Sequence, residues 1–227
     1  MKPLLIAHRG GAHCRDREEN RLAAYHRALT LGVDAVECDV RISADNEVVV
    51  IHDDTLDRTT TGHGHVGAFT TIELVALGVP TLRDLCRLVR GKARLLVEIK
   101  SASPYRVMDI LAEEKMEGGA LVISFHPEYL RPIAQARPDI ELGLLLYKFG
   151  GDVPTLARYI ELGHELRATT LGPNLRLCTH RFVRAVHAAG MRVFAWTANS
   201  KLLQRVLIKV GVDGIVTDYP ERLKQLL

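Results

Sequence analysis

Cysteine is scarce in this chain, four in 227 residues, and Cys14, Cys38, Cys86 and Cys178 are scattered without a CxxC spacing. That argues against a zinc ribbon or a disulfide framework and fits the ordinary thiols of a reducing compartment. No apolar stretch reaches the roughly 18 residues that a membrane span needs, so stable membrane insertion is not expected. The opening Met1-Lys2-Pro3-Leu4-Leu5-Ile6-Ala7 meets His8-Arg9 too soon to be a secretory core, and a cytoplasmic location is expected. A strong charge of one sign is also lacking. Lys and Arg number 30 against 27 Asp and Glu, a net charge of +3, which suits a small anionic substrate and is too mild to argue for nucleic acid. Missing too are the phosphate loop GxxxxGK and a serine nucleophile elbow.

What is present is a set of charged strand ends. Ile6-Ala7-His8-Arg9-Gly10, Val36-Glu37-Cys38-Asp39, Val50-Ile51-His52-Asp53 and Val97-Glu98-Ile99-Lys100 each close an apolar run with ionisable groups. Residues two apart on a strand share a face, so Glu37 projects with Asp39 and Glu98 with Lys100. Cys38 alternates with the acids, faces the opposite way and should be inert. Buried charge is costly unless it is paired or metal-bound, so packing alone does not account for such strand ends.

With 47% hydrophobic and 25% charged residues, the chain can bury a sizeable core. Strand patterns at 4–9, 35–40, 95–99, 121–125, 142–146, 168–171, 193–197 and 214–217 alternate with helical ones. The helical patterns fall at about 104–116, 127–136, 153–165, 179–189 and 200–209. The first helix is expected to be capped by Asn20 and to stop near Gly32; Thr81 is expected to cap another over 81–90. One run breaks the alternation: 48–52 follows 35–40 after only Ser43-Ala44-Asp45-Asn46. A parallel crossover needs a dozen or more residues, so this link is a hairpin, and it returns His52 toward Asp39. Eight βα units in a chain of this length describe a (β/α)8 TIM barrel with an extra β-hairpin strand after the second barrel strand, its site at the C-terminal strand ends. A doubly wound open sheet is the alternative. The chain reads as one domain over 1–227, with a short insertion at about 53–79 whose polar start is expected to build a substrate wall.

Glu37, Asp39 and Glu98 at one barrel mouth pose an electrostatic problem. Two carboxylates about 4 Å apart repel by about 4 kcal/mol at an effective dielectric near 20. Three need a cation, protons, or basic partners on neighbouring strands. An all-oxygen set favours one hard divalent ion, Mg2+ or Ca2+, over zinc. His8 and His52, on neighbouring strand ends, are candidates for a general acid and a general base. Arg9 and Lys100 would bind non-bridging phosphate oxygens, although Arg9 could instead pair with Glu37. His63, His65, His126 and Asn174 are weaker candidates, the last with a turn role.

The chain resembles the glycerophosphodiester phosphodiesterases of the phospholipase-C-like barrel superfamily. The matching stretches run in order: His8-Arg9-Gly10-Gly11, Glu19-Asn20, Glu37-Cys38-Asp39-Val40, His52 to Thr60, Gly62-His63-Gly64, Pro80-Thr81-Leu82 and Glu98-Ile99-Lys100. Ala195-Trp196-Thr197-Ala198-Asn199 and Gly211 to Pro220 complete the pattern. The resemblance implies metal-dependent cleavage of a small glycerophosphodiester to sn-glycerol 3-phosphate and an alcohol. It implies Glu37, Asp39 and Glu98 as metal ligands, His8 and His52 as the acid–base pair, Arg9 and Lys100 at phosphate-binding positions, and Trp196 in the substrate pocket. Two departures stand out: Glu18-Glu19-Asn20 replaces the family's Pro-Glu-Asn, and the stretch between His52 and Pro80 is short, which implies a more open pocket. Action on lysophospholipid head groups is a second reading, and a catalytically idle phosphate-binding barrel a third. The sequence carries no signal for an oligomeric state.

Overall fold

The computed structural model describes residues 2–11, 18–147 and 155–227. Its strands are β1 (Leu4–Ala7), β2 (Ala35–Ile42), β3 (Val48–Val50), β4 (Arg94–Ile99), β5 (Ala120–Ser124), β6 (Glu141–Leu146), β7 (Thr170–Pro173), β8 (Arg192–Ala195) and β9 (Gly214–Thr217). Eight of them are parallel and close into a barrel, because β1 pairs with both β2 and β9. The ninth, β3, is antiparallel to β2 and lies outside the closed ring. Helices α1 (Leu22–Leu31), α2 (Thr71–Ala76), α3 (Leu82–Val89), α4 (Pro104–Glu113) and α5 (Pro127–Ala136) belong to the first half. They are followed by α6 (Leu156–Glu165), α7 (His180–Ala188), α8 (Lys201–Val210) and α9 (Pro220–Lys224). None of these helices is long and apolar enough to cross a membrane. Residues 153–154 of the expected sixth helix, and Cys14, lie outside the described residues.

The barrel strands are apolar on both faces, as a parallel sheet covered by helices requires. Along β2, Val36, Cys38 and Val40 pack outward with the helix layer, whereas Ala35 joins the interior cluster of Ile6, Leu96, Leu121, Ile123 and Phe194. Cys38 is thus in the outer core, and burial pushes its thiol well above the ordinary range. Thr81 and Asp84 form a reciprocal cap at the start of α3, and Thr70 and Glu73 do the same for α2.

Three of the departures from the sequence expectation have a backbone cause. β1 stops at Ala7 rather than at Arg9, because Arg9 (φ 49°), Gly10 (φ 85°) and Gly11 (φ 68°) are successive left-handed residues that turn the chain. Asn20 is not a helix cap. It has φ 55°, Arg21 takes the cap position without a side-chain bond, and the Asn20 carboxamide points into the barrel mouth. β7 begins at Thr170 rather than 168, since Arg167 (φ 51°) is still turning out of α6.

The chain between β3 and α3 folds over a small core of its own, Val49, Ile51, Leu56, Val66, Leu74 and Val79. Its apolar side chains turn inward there and not toward the mouth.

Gly10 packs against backbone in the first turn. A Cβ on it would lie 2.8 Å from Ala24 Cβ and 3.0 Å from the Tyr25 backbone nitrogen, at a φ that side chains rarely adopt. Gly10→Ala is expected to destabilise the fold by about 2–4 kcal/mol, combining backbone strain with overpacking. Urea unfolding measures this, and a loss below about 0.5 kcal/mol would contradict the described turn.

Candidate active site

The C-terminal ends of β1, β2 and β4, with the second residue after β3, deliver the charged groups to one place. Paired register sets Asp39 opposite Glu98, and Glu37 two residues earlier on the same inward face. Glu37, Asp39 and Glu98 are all buried, and each offers a carboxylate oxygen within 4.8 Å of the others. The i, i+2 reading therefore holds for both strands.

Basic groups interleave with the acids. Lys100 Nζ stands 2.6 Å from Glu98 Oε1 and 3.3 Å from Asp39 Oδ1. Neither oxygen receives a well-directed hydrogen bond. Arg9 Nε is 3.1 Å from Asp39 Oδ2, while its Nη1 reaches Glu19 Oε1 at 3.1 Å. The side chain of Arg9 thus pairs with Asp39 and Glu19; Glu37 instead accepts the Arg9 backbone N–H at 3.0 Å. Asn20 Nδ2 donates to Asp39 Oδ2 at 3.0 Å, and Tyr25 Oη donates to Asn20 Oδ1 at 2.6 Å. These contacts fix the orientation of Asp39.

The three acids titrate apart. Burial, aided by the charge of Asp39, pushes Glu37 up to about 7 and Glu98 up to about 8. Burial acts on Asp39 too, but Arg9 and Lys100 outweigh it and hold this carboxyl well below the usual range. Three negative charges against two nearby cations leave a surplus of one, which disfavours ionisation of Glu37 and Glu98.

Each imidazole has its own carboxylate. His8 Nδ1 is hydrogen-bonded to Asp218 Oδ1 at 2.6 Å, which leaves Nε2 facing the site, 3.9 Å from Glu37 Oε2. Asp218 is held by Asn199, whose Nδ2 donates at 2.6 Å and whose Oδ1 accepts the Asp218 N–H at 2.9 Å. His52 Nδ1 is hydrogen-bonded to Asp53 Oδ1 at 2.7 Å. Arg58 forks onto Asp53 at 2.8 and 3.0 Å and joins Glu19 at 2.7 Å. Burial disfavours imidazolium at both rings. For His8 the Asp218 hydrogen bond and the field of Glu37 overcome it and raise the pKa, whereas for His52 burial prevails and lowers it.

These groups border a cavity of about 320 Å³. One half is polar, with His8, Arg9, Glu37, His52, Glu98 and Lys100; Asp39 lies buried behind them. The other half is apolar, with Ile123, Phe125, Leu145, Phe194 and Val216, and Trp196 and Tyr147 at the rim. The Trp196 indole donates to Gly172 O at 2.6 Å and meets Phe125 edge-on at 5.4 Å.

All eight residues singled out from the sequence come together here. Of the segment that follows β3, only His52 lines the cavity among the described residues, so the expected substrate wall is not seen in 53–79. His63 pairs with Asp57 at the surface, and Asn174 caps a 3-10 turn through Arg176 N–H. Sequence reading quoted Asp218, Asn199, Asp53 and Arg58 without giving them work. The signal was available for Asp218 and Tyr147, since each directly follows a barrel strand.

Comparison with known proteins agrees over almost the whole chain. The sequence model of the Glycerophosphoryl diester phosphodiesterase family matches residues 8–222. A glycerophosphodiester phosphodiesterase of Caldanaerobacter subterraneus is 34% identical over 247 residues, covering 100% of this chain and 98% of that one. Among solved structures, a glycerophosphodiester phosphodiesterase from Agrobacterium tumefaciens superposes with a TM-score of 0.85 at 26% identity, covering 99% and 100% of the two chains. An Oleispira antarctica phosphodiesterase in complex with the product sn-glycerol-3-phosphate gives a TM-score of 0.86 at 26% identity, covering 98% and 96%. With the barrel, the acid cluster and these likenesses together, the chain belongs to the glycerophosphoryl diester phosphodiesterase family.

Proposed function

We propose that this protein is a divalent-metal-dependent hydrolase that cleaves small glycerophosphodiesters to sn-glycerol 3-phosphate and an alcohol. The observation that carries the reading is the meeting of three acids and two carboxylate-backed imidazoles on one cavity. The product seen with the Oleispira relative supports the choice of substrate class. We further propose that the chain forms one barrel domain and works in the cytoplasm, which the free thiols of Cys38, Cys86 and Cys178 support.

Glu37, Asp39 and Glu98 would hold the cation. The donor set fits a hard ion: it is all oxygen, and Asp39 Oδ1 and Glu98 Oε1 lack directed hydrogen bonds. When bound, Mg2+ or Ca2+ supplies charge stabilisation to the phosphoryl oxygens. Arg9 and Lys100 are poised on the same side to contact non-bridging oxygens. Of His8 and His52, one removes the proton of the attacking hydroxyl and the other delivers a proton to the departing alcohol oxygen as the P–O bond breaks. Asp218 and Asp53 fix which ring nitrogen faces the substrate in each case. The attacking hydroxyl is water or a hydroxyl of the glycerol itself. Trp196 and the apolar half receive the carbon skeleton of the substrate. That same apolar half supports a second reading, action on lysophospholipid head groups.

Release of glycerol 3-phosphate from glycerophosphocholine, with Mg2+, Ca2+ or a chelator, tests the first reading. His8→Ala and His52→Ala are each expected to lose about 10²- to 10⁴-fold in kcat. Full turnover by Glu37→Ala and Glu98→Ala in chelator would remove the metal assignment. A clear preference for lysophosphatidylcholine over glycerophosphocholine would favour the second reading.

Metal affinity should depend on pH in a defined sense. With Glu37 near 7 and Glu98 near 8, the cation displaces protons at lower pH, so affinity rises up to about tenfold per pH unit for each proton displaced. The linkage to the stability of the metal-free fold has the opposite sign. Raised carboxyls favour the metal-free fold at acidic pH and cease to do so as pH rises through 7 and 8. The gain in Tm on adding Mg2+ or Ca2+ should therefore be larger at pH 8.5 than at pH 6. An equal gain at both values would contradict proton displacement from these two acids.

A further inference from the structure

Residues 166–212 carry eight of the chain's 30 Lys and Arg and none of its 27 Asp and Glu. The rest of the chain is therefore net negative, although the whole is nearly balanced. This stretch is β7, α7, β8 and α8, consecutive units on one side of the barrel. Arg192 is tied to Glu141 at the foot of the strands. Arg181 and Arg184 on α7, and Lys201, Arg205 and Lys209 on α8, are exposed. Among the described residues none of these five has a carboxylate at ion-pair distance.

On α8 the cations fall at i, i+4 and i+8, one continuous stripe, and like charges so spaced disfavour the helix slightly. Beside them Leu202 and Val206, also i and i+4, stand 70% and 46% exposed, with Leu203 at 38%. The opposite side of the helix buries Gln204 and Leu207. Lys201 also donates to Gln225 Oε1 at 2.7 Å, so the stripe lacks carboxylate partners, its like charges repel along the helix, and exposed aliphatic side chains lie beside it. A surface with phosphate groups outside and hydrocarbon beneath relieves both at once. A nucleic acid would meet the cations and leave Leu202 and Val206 wet. A second copy docked on this face by a two-fold axis would bring like charges together.

We propose that the α7–α8 side of the barrel is a peripheral docking surface for an anionic phospholipid bilayer. α8 begins five residues after Trp196, whose ring lines the catalytic cavity, so the docked face adjoins the mouth. The proposal goes beyond the catalytic reading, and binding is measured without turnover.

Co-sedimentation with vesicles of phosphatidylcholine alone, and of phosphatidylcholine mixed with phosphatidylglycerol, provides the test. The protein should bind the mixed vesicles, less so as salt is raised, and ignore the neutral ones. Combined Lys201→Gln, Arg205→Gln and Lys209→Gln should lower the partition coefficient by about a hundredfold, about fivefold per charge. Leu202→Asn with Val206→Asn should weaken binding at both low and high salt. Both variants should keep the wild-type melting temperature and turn over a soluble substrate at the wild-type rate. No binding to mixed vesicles at low salt, or binding untouched by the triple substitution, would overturn the proposal. So would tighter binding to duplex DNA than to vesicles, or a dimer in sedimentation velocity that Leu202→Asn dissolves.

Discussion

Everything at the mouth of this barrel answers one electrostatic constraint: three carboxylates are held together where water is largely excluded. Isolated buried carboxylates cost several kcal/mol each, so the surroundings must supply positive charge or protons. Arg9 and Lys100 both converge on Asp39, the most deeply placed of the three, and keep it ionised. Glu37 and Glu98 are left short of charge and lean toward the protonated state. A divalent cation resolves the shortage. The second ring of contacts serves the same end, since Tyr25 and Asn20 orient Asp39 while Glu19 links Arg9 to Arg58 and on to Asp53.

The barrel also separates two chemistries across one cavity. β1, β2 and β4 present ionisable groups, whereas β5 to β9 present aliphatic and aromatic ones. Small residues on the apolar side are part of this arrangement. A Cβ on Gly172 would lie 2.6 Å from the Leu145 side chain, and one on Gly143 would lie 2.9 Å from Ile123. The bare backbone on β6 and β7 lets those two larger side chains line the cavity. A phosphodiester is itself divided in this way, an anionic centre between carbon-bearing arms, and the division of the walls follows that of the ligand.

Much of this was legible in the sequence because strand alternation is a strict rule. Glu37 and Asp39 had to share a face, Cys38 had to oppose them, and the short link before Val48 had to be a hairpin that brings His52 back. The capping box at Thr81 was equally local and equally readable. What escaped depended on backbone conformation or on distant partners. Propensity does not reveal that Arg9 and Asn20 sit at positive φ, so the strand looked longer and Asn20 looked like a cap. The pairing of His8 with Asp218 spans 210 residues, and only closure of β1 onto β9 makes them neighbours. The segment after His52 was read as a wall because it is polar at its start, yet its spaced aliphatic residues form a separate core.

The central claim is that Glu37, Asp39 and Glu98 enclose one divalent cation beside His8 and His52. Crystals grown with Mn2+ or Ca2+ and measured for anomalous scattering test it most directly. The account predicts a single strong peak bounded by those three carboxylates, with Lys100 moved off Glu98 toward the cavity. A peak elsewhere, or none at saturating metal while turnover persists, would contradict it.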